Sequence, residues 1–232
     1  MRKIFTFDGI SSEDFGAYIS GWKTGDKPVR DREVLTVPGK NGDVIMDNGR
    51  YANVNVSYMT YFPSRFHYYY EAFVQFLASR TGYCRLEDDY SPDIYRMGYL
   101  SEAFEPSMSQ HMKAGNVNIV FSCKPQKWLK DGESLREIPT SVLNRTQFAS
   151  KPLIRTYGTG TLNINGKGIT VTTADGYTDI DCELMEAFKG PVNCNKNIVL
   201  STGDFPELVP GVNQISQSGF DSVLYAPRWW TL

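Results

Sequence analysis

The sequence predicts a mainly β protein, with an N-terminal β-sandwich-like domain that carries one α-helix and a second β-sandwich after it. Three observations lead there. Short alternating runs bounded by turn residues recur through the first half, one stretch alone switches to a helical period, and beyond a polar, irregular segment the strand runs follow at short, even intervals. The palette agrees, since 14 Tyr, 13 Phe and 20 Gly in 232 residues favour strands and turns over helical bundles.

Residues 1–62 contain the strand runs "KIFTF", "EVLTV", "DVIMD" and "ANVNVSYMTYF". The period then changes: Phe66, Tyr69, Tyr70, Phe73 and Leu77 fall at i, i+3, i+4, i+7 and i+11, which makes one apolar helix face. Ser64 is the expected cap at its start and Gly82 the expected stop. Three more strand runs follow, "YCRLED", "IYRMGYL" and "VNIVFSC". From Lys130 to Ser150 the chain is polar, broken by Gly132 and Pro139 and poor in apolar anchors, so residues 130–150 read as a linker between domains at 1–129 and 151–232. The second domain supplies "LIRTYG", "TLNIN", "GITVTT", "TDIDCELM", "NIVLS", "NQISQ" and "DSVLYAPRWW", with turns expected at Asn165-Gly166, Asp175-Gly176 and Pro210-Gly211.

The stretch "VPGKNGDVIMDNGRY" decides whether a phosphate-binding loop is present. A phosphate loop needs G-x-x-x-x-G-K-[ST] ahead of a helix, whose backbone amides and dipole hold the anion. Here Asn41 stands where Ser or Thr is needed and a strand follows, so Gly39, Gly42 and Gly49 read as structural turn residues. Asn41-Gly42 and Asn48-Gly49 then suit two tight turns of positive φ bracketing the strand Asp43 to Asp47. "YGTGT" likewise lacks the third glycine and the helix of a dinucleotide fingerprint. No cofactor is expected.

Catalytic and metal chemistry find little support. Only His67, inside the predicted helix, and His111, in a polar run, offer neutral-pH bases, and neither lies beside a Ser or Cys in a nucleophile motif. Cys84, Cys123, Cys182 and Cys194 show no C-x-x-C spacing, so zinc is not expected and the thiols read as reduced and mostly buried. Asp179, Asp181 and Glu183 alternate along one strand, a pattern open to a calcium site, a glycosidase pair or, more ordinarily, a solvated sheet face. Trp229 and Trp230 invite stacking on sugar rings, or else core and edge packing. With 24 basic against 26 acidic residues, no whole-chain field draws the protein to nucleic acid, and no apolar run reaches the length of a membrane span. The N-terminus shows no secretory h-region.

Residue types in succession carry a family resemblance. "VPGKNGDVIMDNGRYANVNVSYMTYF", "GYCRLEDDYSPDIYRMGYL" and "NVNIVFSCKPQKWL" resemble the N-terminal domain of siphophage distal tail proteins. "GTGTLNINGKGITV", "TDIDCELMEAF" and "FPELVPGVNQISQSG" are similar to that family's C-terminal galectin-like β-sandwich, so the resemblance spans nearly the whole chain in order. It implies a structural virion protein, made in the host cytoplasm and placed at the tail tip, with no enzymatic activity. It implies a homo-hexameric hub ring built from the N-terminal domains, able to stack in pairs, between the tail tube protein and the tail-associated hub or fibre protein. The second domain is short-looped and lacks an extended arm, which sets direct attachment of receptor-binding proteins in doubt.

A ring of this symmetry needs heterologous contacts, and strand edges supply them. Val44, Ile45 and Met46, in the strand between the two glycine turns, are the candidate contact, although the same turn grammar also serves an internal hairpin. The alternative function is a carbohydrate-binding module for the host wall, and a third is a glycoside hydrolase using Asp179, Asp181 or Glu183.

Overall fold

A computed structural model describes residues 2–21, 23–25, 27–108, 113–172 and 175–232. It is mainly β, with one α-helix. The first strands are β1 (Phe5–Phe7), β2 (Ile10–Ser11), β3 (Tyr18–Ile19), β4 (Thr24–Gly25), β5 (Arg30–Leu35), β6 (Val44–Tyr51) and β7 (Val54–Phe62). After helix α1 (Phe66–Ala78) come β8 (Cys84–Asp88), β9 (Ile94–Leu100), β10 (Pro106–Met108), β11 (Gly115–Cys123) and β12 (Lys127–Leu129). Next are β13 (Arg136–Glu137), β14 (Ser141–Asn144), β15 (Leu153–Tyr157), β16 (Gly160–Ile164), β17 (Lys167–Val171) and β18 (Tyr177–Asp181). The last six are β19 (Glu186–Lys189), β20 (Val192–Asn193), β21 (Ile198–Leu200), β22 (Gly211–Ser218), β23 (Ser222–Ala226) and β24 (Trp230–Thr231).

The chain forms two compact units, Met1–Lys127 with Leu232, and Trp128–Thr231. The first is an antiparallel sheet in the order β2-β1-β8-β9-β11-β7-β3. Period-2 alternation sends Val54, Val56, Tyr58 and Phe62 inward from β7, and Val117, Ile119, Phe121 and Cys123 from the facing β11. Helix α1 adds Phe66, Phe73 and Leu77 to the same core. The core is strongly aromatic: the Phe5 ring stacks on Tyr58 at 5.0 Å, and Phe7 meets Phe121 at 4.9 Å. Ser64 does not cap the helix. Arg65 occupies that position at φ 49° with no side-chain bond, and the helix stops at Ser79, before Gly82.

The second unit is a β-sandwich. One sheet runs β13-β23-β15-β18-β19-β20 and the other β14-β22-β16-β17-β21, and Ile154, Ile180 and Val223 of the first share a core with Leu162, Ile169, Val171 and Ile215 of the second. Asn165 (φ 53°) and Gly166 (φ 88°) form the two-residue loop joining β16 to β17, where positive φ at both positions matches the twist of the strands. Residues 130–150, which the sequence reads as a linker, belong to this unit: β13 pairs with β23 and β14 with β22. A few inward groups suffice to fix so polar a stretch. Val142 is buried, and the Asn144 amide donates to the Phe148 and Leu208 carbonyls, each at 2.9 Å.

Candidate assembly interface

Strands β5 and β6 stand apart as a two-stranded sheet of their own. Their register sets Leu35 opposite Val44, Val34 opposite Ile45, Glu33 opposite Met46 and Arg32 opposite Asp47. Val34 and Ile45 therefore share one face, and Leu35, Val44 and Met46 the other. Both faces are open: Ile45 is 60% exposed, Val34 57%, Met46 51% and Leu35 48%. Val29 and Val37 extend the apolar surface at the ends of β5. Ion pairs of Arg30 with Asp47 (3.1 Å) and Arg50 with Asp31 (2.6 Å) decorate the far end, where the Arg50 and Asn48 hydrogen bonds hold the Asp31 carboxyl below its ordinary value.

The sequence finds the strand of Val44, Ile45 and Met46 but misplaces both of its bounds. Between β5 and β6 lie eight residues, opened by a turn in which the Lys40 N–H donates to the Val37 carbonyl at 3.1 Å. Pro38 and Gly39 (φ 82°) fill the central positions of that turn, the type II pattern, which requires a glycine-like residue third. Gly42 has φ 80° but Asn41 does not share the sign, so the mirror-image tight turn does not form there. Gly49 (φ 72°) lies inside β6, where the register slips opposite Arg30 and Arg32, so it makes a bulge and the strand continues to Tyr51. A glycine of positive φ fits a turn and a bulge alike, which is why spacing alone misassigns it. Lys40 and its neighbours in this loop are exposed.

Among the described residues the catalytic candidates do not assemble into a site. Asp179 and Asp181 are buried and each is clamped by an arginine: Arg155 holds Asp179 at 2.7 and 2.8 Å, and Arg228 holds Asp181 at 2.8 Å through both nitrogens. Burial alone would raise the Asp181 pKa, but Arg228 and the Leu184 and Glu183 amides outweigh it and leave the carboxyl below the ordinary range. The hydrogen bond to Asp179 likewise raises Arg155 above its ordinary value. Glu183 sits in the exposed turn after β18, so the three acids do not share the solvated face that alternation implies. Trp229 is in the core, and Trp230 stacks on Phe148 at 4.3 Å and donates its indole N–H to the Ala149 carbonyl.

His67 is exposed on α1, and His111 lies outside the described residues. All four cysteines are free thiols; burial pushes Cys123 up to about 11 and Cys182 up to about 12, which keeps both protonated and unreactive. Among the described residues no group of three or more His, Cys, Asp or Glu is placed to hold a metal, and no helix is long and apolar enough to cross a membrane.

No protein-family model matches this chain, and no curated protein matches it. Solved structures do. The SPP1 Dit (gp 19.1) protein, described as a paradigm of the hub adsorption apparatus in phages infecting Gram-positive bacteria, superposes with TM-score 0.78 at 15% identity over 100% of both chains. A chain of the phage P2 baseplate in its activated conformation with Ca superposes with TM-score 0.54 at 9% identity, over 97% of each chain. The same baseplate with Sr gives TM-score 0.52 at 9% identity, over 97% of this chain and 96% of that one. At such identities the likeness is one of fold, and it runs through both units.

Proposed function

We propose that this chain is a siphophage distal tail protein: a structural, non-enzymatic virion component at the tail tip, whose six copies form a hub ring between the tail tube protein and the tail-associated hub or fibre protein. The observation that carries this reading is the likeness, over the full length of both chains, to a protein described as a hub of the adsorption apparatus. The first unit makes the ring and the galectin-like second unit lies outside it. Two such rings stack when the rest of the tail is absent.

The hairpin β5–β6 is the ring contact, and its occupant is a second copy of this chain. A two-stranded sheet in water is marginal by itself, and this one exposes apolar side chains on both faces as well as unpaired edges. A closed ring gives each hairpin a neighbour through a heterologous contact, so that one surface meets a different surface on the next copy. The two alternative functions are less well supported, since Asp179 and Asp181 are buried in arginine pairs apart from the exposed Glu183, Trp229 is in the core and Trp230 stacks on Phe148.

Light scattering on the purified chain, with negative-stain images of the same fractions, tests the reading. We expect a species of six times the 26.2 kDa chain, or twice that for stacked rings, and six-fold particles. A monomer at every concentration, without rings, contradicts it.

A further inference from the structure

Each sheet of the second unit ends in two edge strands, and three of the four are blunted by shortness: β13 and β20 have two residues each and β21 three. The fourth, β14, runs through Ser141, Val142, Leu143 and Asn144 without a charge or a proline, and among the described residues it pairs with β22 alone. The ladder shows which of its groups are free. The Ile215 N–H donates to the Thr140 carbonyl at 2.9 Å, which makes those two residues a hydrogen-bonded pair. Bonded pairs alternate along an antiparallel ladder, so Thr140, Val142 and Asn144 face β22. Ser141 and Leu143 turn their N–H and C=O groups the other way, to the open edge.

A pocket of about 420 Å³ lies along that same edge: Ser141, Val142 and Leu143 line it, whereas β22 contributes nothing. Val142, Tyr225 and Trp229 give it apolar surface, and Arg136 and Arg145 give it charge. Arg136 lies over the Tyr225 ring at 5.4 Å and donates to the Asp131 carbonyl, a bond that leaves its charge uncompensated. Arg145 is exposed and has no carboxylate partner among the described residues. Asp131 is the one carboxylate in the lining, so two positive charges stand against one negative. On the outer surface of the sheet Leu143 and Val212 are directly opposite, and both are exposed. Water can serve the edge groups of the free chain, and a small molecule could fill the pocket. A polypeptide strand does both at once, because its side chains alternate: one set enters the pocket and the other lies beside the Leu143–Val212 pair.

We propose that β14 takes up an extended, acidic segment of a partner protein as an added strand, with an apolar side chain in the pocket and carboxylates on Arg136 and Arg145. The Ser141 and Leu143 backbone groups supply the ladder, and the excess of positive charge selects an acidic segment over a basic one. The inference does not rest on the tail-hub reading and stands or falls separately from it.

The test uses the full chain and the blocked peptide TEVVVET, whose glutamates and central valine share one strand face, with TKVVVKT as its basic counterpart. We expect saturable binding of TEVVVET, read from the anisotropy of a labelled copy, with slowed hydrogen exchange at the Ser141 and Leu143 amides and weaker binding of TKVVVKT. Leu143→Pro removes an outward N–H without touching the ladder to β22, a change that edge strands tolerate, and should abolish binding while the thermal melt holds. Arg145→Gln, at an exposed position, should weaken binding about tenfold, the loss of one charged hydrogen bond. Lys196→Gln, beside the opposite edge strand β21, should change nothing. Failure of TEVVVET to bind, equal affinity for the two peptides, or wild-type affinity in Arg145→Gln overturns the proposal. Protection of the same amides that grows with protein concentration and needs no peptide makes a second copy the occupant, and overturns it as well.

Discussion

The hairpin β16–β17 turns through Asn165-Gly166 and buries Leu162, Ile164, Ile169 and Val171, whereas the hairpin β5–β6 turns through Pro38-Gly39 and leaves Val34, Leu35, Ile45 and Met46 open. Turn chemistry is sound in both. What separates them is the order of apolar residues along each strand. In β16, Thr161 and Asn163 alternate with Leu162 and Ile164, so one face is apolar and one sheet above it completes the core. In β5 and β6 the apolar residues are consecutive, Val34-Leu35 and Val44-Ile45-Met46, so both faces are apolar. Such a strand asks to be covered on two sides. Among the described residues nothing pairs with its edges, and the proposed ring contact would answer that need.

Charge follows the same division, and it supplies the largest expected effect. Arg228→Ala leaves the Asp181 carboxylate buried without its partner and should cost about 3–5 kcal/mol in a denaturant melt. Arg50→Ala, at the exposed pair on β6, should leave the melt where it was. The loss at Arg228 is pH-dependent in a defined direction. Asp181 has a folded pKa depressed below its ordinary 3.8, so the pair stabilises above that value and its contribution fades as pH falls through the folded pKa. The gap between wild type and Arg228→Ala should therefore narrow in acid. A gap constant down to strongly acid pH would mean the arginine acts by packing alone.

Next in size is the apolar contrast itself. Ile169→Ala should destabilise by about 2–5 kcal/mol through cavity formation in the sandwich core. Ile45→Ala, measured on dissociated chains, should stay within about 0.5 kcal/mol of wild type, as surface changes do. Comparable losses at the two sites would show that the β5–β6 hairpin is packed within its own chain.

The smallest effects probe the turns. Gly166→Ala forces a β-carbon into the left-handed region within a loop of two residues and should cost about 1–2 kcal/mol. Gly42→Ala faces the same sign of φ, but its eight-residue loop can relax, and the cost should be smaller. Lys40→Ala should be silent, with or without nucleotide, because no phosphate loop is present. Nucleotide-dependent melting abolished by Lys40→Ala would restore that loop.

Long periodic elements were legible in the sequence because burial repeats along them. The helix phase reads off Phe66, Phe73 and Leu77, and the alternation of β7 and β11 off their valines and aromatics. Its cap was not legible, since Ser64 has the right chemistry one residue away from where the chain turns. Asp179 and Asp181 were visible as a pair, but their burial depends on arginines 24 and 47 residues away. Strands of two residues, such as β2 and β13, are shorter than any pattern. Of the exposed β5–β6 surface the sequence points to Val44, Ile45 and Met46, whereas Val34 and Leu35 join them only through a register that the eight-residue loop sets.

Sedimentation velocity of Ile45→Asp beside the wild-type chain bears most directly on the hairpin as ring contact. We predict a wild-type boundary at the mass of six or twelve copies, a variant that sediments as the 26.2 kDa monomer, and identical thermal melts for the two when dissociated. A variant that assembles like wild type would contradict the account.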